Sequence, residues 1–115
     1  MLKPATLLIP LAFNDGTEVP KAALAAIEEE IYLAFNGWTV VGEVEGAYRM
    51  KQTGQKQVER LLHVWVVFEE AELPSLKHMV GKFGALLGQE AMYFEVGESL
   101  IAFIPASTDE EKADE

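Results

Sequence analysis

The chain has 115 residues, 50% of them hydrophobic and 24% charged, enough for one domain with a core of its own. A net charge of −10 at pH 7 argues against nucleic acid and anionic membranes as partners, because phosphate recognition needs clustered Lys and Arg. With no cysteine, disulfides, thiolate metal sites and thiol nucleophiles are excluded.

Ala5–Phe13 is a short apolar run closed by Asn14-Asp15-Gly16, which predicts a first strand ending in a turn. Pro10 has no backbone donor and marks a bulge or an unpaired position in it. Lys3 and this run imitate the start of a secretion signal. Pro4 and Pro10 interrupt it, however, and no small-residue cleavage site precedes the turn. No apolar run approaches the ~20 residues of a membrane span, so a cytoplasmic setting is expected.

Pro20 suits the first turn of a helix, and Leu24, Ile27, Ile31, Ala34 and Phe35 recur at helical spacing behind it. Asn36-Gly37 ends that helix, with Gly37 as the expected left-handed cap. Trp38–Arg49 alternates and is rich in Val, predicting strand two. Lys51–Gln57, centred on Gly54, reads as a hairpin loop, and Val58–Phe68 as strand three. Pro74 opens a second helix whose stripe is Leu73, Leu76, Val80, Phe83 and Leu87, closed by Gly88. Glu90–Val96 is predicted as strand four. A tight Gly97-Glu98 turn is expected to lead into a fifth strand over Ser99–Ile104. In the tail, residues 106–115, five carboxylates stand against Lys112 alone, so a disordered acidic extension follows residues 1–105.

This order is that of an α+β, ferredoxin-like βαββαβ sheet with a short additional strand. Right-handed crossovers place both helices on one face and leave the other open. Along strand three, Leu62, Val64, Val66 and Phe68 face the helices, while Leu61, His63, Trp65 and Val67 face outward. An outer face carrying two aliphatics and a tryptophan is too apolar for water alone, so a second copy is expected to cover it. That association would be a homodimer of the dimeric α+β barrel type.

A hairpin turning near Gln52–Gly54 sets Glu45 opposite His63 and Glu43 opposite Trp65. A carboxylate beside an imidazole is an ordinary cross-strand ion pair, a general base with its orienter, or, with Glu43, a sparse metal site. Tyr48 and Arg49 close strand two, where a forked guanidinium suits a carboxylate or phosphate, or a rim ion pair. Gln89 and Glu90 follow the second helix, within reach of the open face or a neighbouring loop. Tyr93 adds an aromatic ring to that face. Gly81, Gly84 and Gly88 line one side of the second helix, where close approach of backbone is the expected reason. Their spacing matches no phosphate-binding loop, and the few Ser and Thr residues stand at no recognisable spacing from a His.

"FNGWTVV", "GAYRM", the Gly54 hairpin, "VWVVF" and "GQEAM" together resemble a family of small, uncharacterised bacterial ferredoxin-like domains of unknown function, over about residues 20–96. The resemblance implies the fold, and no activity. The reading that follows is a non-catalytic homodimeric binding or regulatory module, holding a small molecule or peptide at the open face. Leu61, Trp65, Val67 and Tyr93 would give apolar contact and Glu43, Glu45, His63 and Arg49 orientation, with Tyr48, Gln89 and Glu90 as further ligand-binding candidates. A small enzyme using Glu45 and His63 for proton transfer is one alternative, and a structural subunit of a protein complex another. No motif implies a cofactor.

Overall fold

The computed structural model describes residues 1–106. The expected tail falls, except for Ala106, outside the described residues. The elements are β1 (Leu2–Pro10), α1 (Lys21–Phe35), β2 (Thr39–Arg49), β3 (Lys56–Glu69), a 3-10 turn (Glu70–Glu72), α2 (Leu73–Leu86) and β4 (Tyr93–Val96). The four strands form one antiparallel sheet in the order β2-β3-β1-β4. Among the described residues, no helix is long and apolar enough to cross a membrane.

The two strand periodicities explain the layering. Ala5, Leu7 and Ile9 of β1 and Val64, Val66 and Phe68 of β3 point to one side. There they join Ile27, Ile31 and Phe35 of α1 and Leu76, Val80 and Phe83 of α2 in a single core. Burial of each Val, Leu, Ile or Phe among them stabilises the fold by about 1.5–3 kcal/mol. His63, Trp65 and Val67 alternate with these residues and project from the opposite face, where Trp65 is 40% exposed.

Local chemistry explains the element ends. Pro20 precedes α1, and the left-handed cap falls on Asn36 (φ 64°), one residue earlier than the glycine expected there. Asparagine tolerates this conformation because its short side chain relieves part of the steric cost. Leu11 donates its N–H to Arg60 on the β3 side, so the missing donor of Pro10 faces the β4 side. β4 ends opposite Leu8 at Tyr93, which leaves Pro10 beyond its reach and without need of a donor.

Two expectations are corrected here. Ser99–Ile104 forms no strand. Gly97 donates its N–H to Pro4 O at 2.8 Å, and Lys3 Nζ lies 3.0 Å from Glu98 Oε2. Both contacts carry the chain straight on along β1, where the hairpin required a reversal. The glycine stripe of α2 also differs from expectation. At Gly84 a Cβ would lie 2.9 Å from Met92 Cγ, so a side chain, not backbone, approaches it. At Gly81 a Cβ would meet nothing within 4 Å.

Gly81→Ala is therefore expected to raise stability by up to about 1 kcal/mol, the helix-propensity difference. Gly84→Ala should forfeit that gain, and adding Met92→Ala should change the sign of its effect. Chemical denaturation of the single and double variants checks this; equal gains at both glycines would refute the close approach.

Candidate functional site

The decisive local feature is a bulge in β2. Val40 pairs with Val64, but the next register partner of β3, His63, pairs with Gly42, so Val41 is an extra residue. Side chains alternate with period two, and one inserted residue exchanges the two faces for the rest of the strand. Gly42 has φ 153°, a backbone conformation that a side chain would disfavour. Beyond the bulge, Val44, Gly46 and Tyr48 share the open face with Leu61, Glu59 and Gln57. Glu43 pairs with Leu62 and Glu45 with Arg60, on the side of the sheet away from His63.

The proposed Glu45–His63 pair is thereby removed. His63 has Gly42 and Leu8 as its cross-strand partners, neither able to orient an imidazole. Glu43 and Glu45 do not converge with it on a metal either. Among the described residues, no group of three potential metal-ligating side chains occurs. The loop contributes to the error as well: it spans Met50–Gln55 between paired Arg49 and Lys56, earlier than the expected Lys51–Gln57.

At the hairpin end of the open face lies a cavity of about 540 Å³. Its floor is apolar, from Leu8, Pro10, Gly46 and Leu61, with Met92 beside them. Its polar walls come from three stretches of chain. β2 and the hairpin loop bring Tyr48, Arg49 and Lys51, β3 brings Glu59, and the α2–β4 connection with the start of β4 brings Gln89, Glu90 and Tyr93. Six residues picked from the sequence meet here: Tyr48, Arg49, Leu61, Gln89, Glu90 and Tyr93. Trp65, Val67 and His63 lie farther along the same face and do not line it. Glu59 and Lys51 escaped notice, although Glu59 continues the outward series of Leu61, His63 and Trp65 by one step of two.

The connection that carries Gln89 is anchored. Asn14 Nδ2 donates to Gly88 O at 3.1 Å, and Gln89 Nε2 donates to Asn14 Oδ1 at 3.3 Å. The turn holding Asn14 is itself ordered by Asp15, whose carboxylate accepts from the hydroxyl and the N–H of Thr17. The Thr17 hydroxyl is also the main reason that the Asp15 pKa is lowered.

Two ionisable groups inside the cavity are tuned by their setting. Partial burial raises the Glu59 carboxyl above the usual range, and the hydrogen bond from Tyr48 opposes this only in part. Burial likewise raises the Tyr48 phenol, with the Glu59 charge adding to the effect. Tyr48 Oη lies 3.4 Å from Glu59 Oε1, a long contact with room to tighten. Tyr93 instead donates to Glu95 at 2.8 Å, which raises its own pKa. Arg49 and Lys51 form no ion pair among the described residues. The cavity thus presents two cations, two carboxylates and two phenol rings around an apolar floor.

No family model and no curated protein matches the chain. Several solved structures share its fold. A phage SAM lyase in complex with S-methyl-5'-thioadenosine superposes with a TM-score of 0.69 at 13% identity, covering 84% of this chain and 81% of that one. The divalent cation tolerance protein Cut A1 from Thermus thermophilus gives 0.59 at 15% identity, covering 99% and 93%. These similarities establish a small ferredoxin-like α+β fold.

The raised Glu59 carboxyl makes a signed prediction. A carboxyl whose folded pKa exceeds its unfolded value opposes folding once ionised. Stability is therefore lost as pH rises from the unfolded pKa, 4.5, through the folded one. Glu59→Gln keeps an oxygen for Tyr48 and removes the charge, so it should raise Tm slightly at pH 7. The difference should vanish below about pH 4, where both states are protonated. Melting curves at the two pH values check this; a Tm that falls at pH 7 would contradict it.

Proposed function

We propose that the chain is a non-catalytic, self-associating binding module of the cytoplasm, which holds a small molecule in the cavity at the hairpin end of its open sheet face. The observation that carries this reading is the convergence of Tyr48, Arg49, Lys51, Glu59, Glu90 and Tyr93 around one apolar floor. About 540 Å³ lies within the ~300–1,000 Å³ of small-molecule sites, and a few polar groups over an apolar surface are their usual lining. The segments "GAYRM" and "GQEAM", on which the likeness to small bacterial domains partly rests, contribute Gly46–Arg49 and Gln89–Met92 to the same cavity.

The wall chemistry favours an amphipathic ligand: a flat apolar body against the tyrosines, with polar or charged groups reaching Arg49 and the carboxylates. S-methyl-5'-thioadenosine, held by the structurally similar lyase, has this character and is the first probe to use. Self-association is supported by the unpartnered apolar area around Trp65, Val44 and Tyr93. A homodimer pairing the two open faces, in the manner of dimeric α+β barrels, covers it.

A second reading, acid–base catalysis, draws on one observation. Tyr48 and Glu59 are in contact and burial raises the pKa of both, so the pair sets a proton donor and a proton acceptor side by side in the cavity wall. It replaces the Glu45–His63 alternative, and product formation from a bound probe distinguishes it from simple binding.

Calorimetric titration with S-methyl-5'-thioadenosine, adenosine and a panel of aromatic carboxylates tests the site. Tyr48→Ala or Arg49→Ala is expected to weaken binding about tenfold, equivalent to about 1.4 kcal/mol. His63→Ala and Glu45→Ala should leave it unchanged. Equal affinity for the wild type and Tyr48→Ala, or no binding by any member, would contradict this site.

A further inference from the structure

We infer that Ser99–Ile104 is an assembly arm, which adds as a strand to the free edge of β2 in a neighbouring copy of the chain. The segment has strand composition, yet among the described residues it pairs with nothing in its own fold. Leu100 is 85% exposed, Phe103 73% and Ile104 84%. Three large apolar side chains so close together in sequence and so fully in water are uncommon without a partner.

The root of the arm explains why its own sheet cannot satisfy it. Gly97 is bonded to Pro4 O, and its Cα lies so close to Pro4 that a Cβ would come within 2.9 Å of Cγ. Lys3 holds Glu98 alongside. Together these contacts direct the chain past the beginning of β1 and away from the outer edge of β4. The other edge of the sheet, β2, is three strand spacings away, about 14 Å across.

That distant edge has the complementary deficiency. β2 has 11 residues, pairs on one side only among the described residues, and exposes Val40, Val41 and Val44. A long edge with apolar side chains and unpaired N–H and C=O groups readily accepts an added strand. The edge of β4, at four residues, is much shorter. Six extended residues span about 20 Å, well within the length of β2. One copy therefore supplies what the next copy lacks. Because β2 also carries Tyr48 and Arg49, the docked arm would stiffen one wall of the neighbour's cavity.

This contact differs from pairing of the open faces and does not depend on what the cavity binds. The test compares the full chain with a Leu100→Ser, Phe103→Ser, Ile104→Ser variant by light scattering at micromolar concentration. The wild type is expected to be an assembly larger than a dimer, and the variant to fall to the mass of the face-paired dimer with an unchanged circular dichroism spectrum. The chain has no native cysteine, so a Phe103→Cys chain mixed with a Val41→Cys chain should yield a mixed cross-linked species with a short bis-maleimide. Excess wild type should suppress it. A single-copy wild type, an arm variant that keeps the wild-type mass, or failure of the mixed cross-link would each overturn the arm. The second of these would leave face-to-face association standing.

Discussion

One inserted residue governs the open face of this domain. Before Val41, β2 and β3 pair with Thr39 beside Trp65; after it, even-numbered residues of β2 take the open face. An unbulged strand would continue the initial register, directing Glu43 and Glu45 into the open face beside Leu61 and Glu59. The bulge replaces them with Val44, Gly46 and Tyr48. Small residues matter at that point, because a Cβ on Gly46 would already lie 3.2 Å from Leu61 Cδ1. The absence of a side chain there leaves room above the cavity floor, and Tyr48 closes the space from the far side.

The rest of the fold supports this end of the sheet. Its core lies under the helices, with Leu7, Val64, Val66 and Leu76 among the most deeply buried side chains. The connection after α2 closes the cavity, and its position follows from contacts on both sides. Met92 packs into the gap at Gly84, and Gln89 is tied to Asn14. Anchoring of this kind pre-orients the polar wall and reduces the ordering that a ligand must otherwise impose. Glu59 is likewise held in place, partly buried and in reach of Tyr48.

The strongly periodic segments were legible in the sequence. Leu62, Val64, Val66 and Phe68 against His63, Trp65 and Val67 gave both faces of β3, and Ile27, Ile31 and Phe35 the inner stripe of α1. Tyr48, Arg49, Gln89 and Glu90 were recognised because unusual polar residues at element ends suggested a site. The register of β2 was not legible. Val40-Val41-Gly42-Glu43-Val44 has apolar residues on both alternations, so periodicity cannot locate an insertion within it. Gly42 was the available cue, since glycine inside a strand often accompanies a bulge. The fifth strand was misread for a different reason: Gly97-Glu98 has turn composition, but its backbone and charge are engaged by Pro4 and Lys3. Long-range contacts of that kind leave no local pattern.

The arrangement of β2 against β3 can be measured directly by nuclear Overhauser contacts between their backbone protons. The account requires cross-strand contacts of His63 with Gly42, Leu61 with Val44, and Glu59 with Gly46. Contacts of His63 with Glu45, or of Leu61 with Glu43, would return the carboxylates to the open face and contradict the cavity as described.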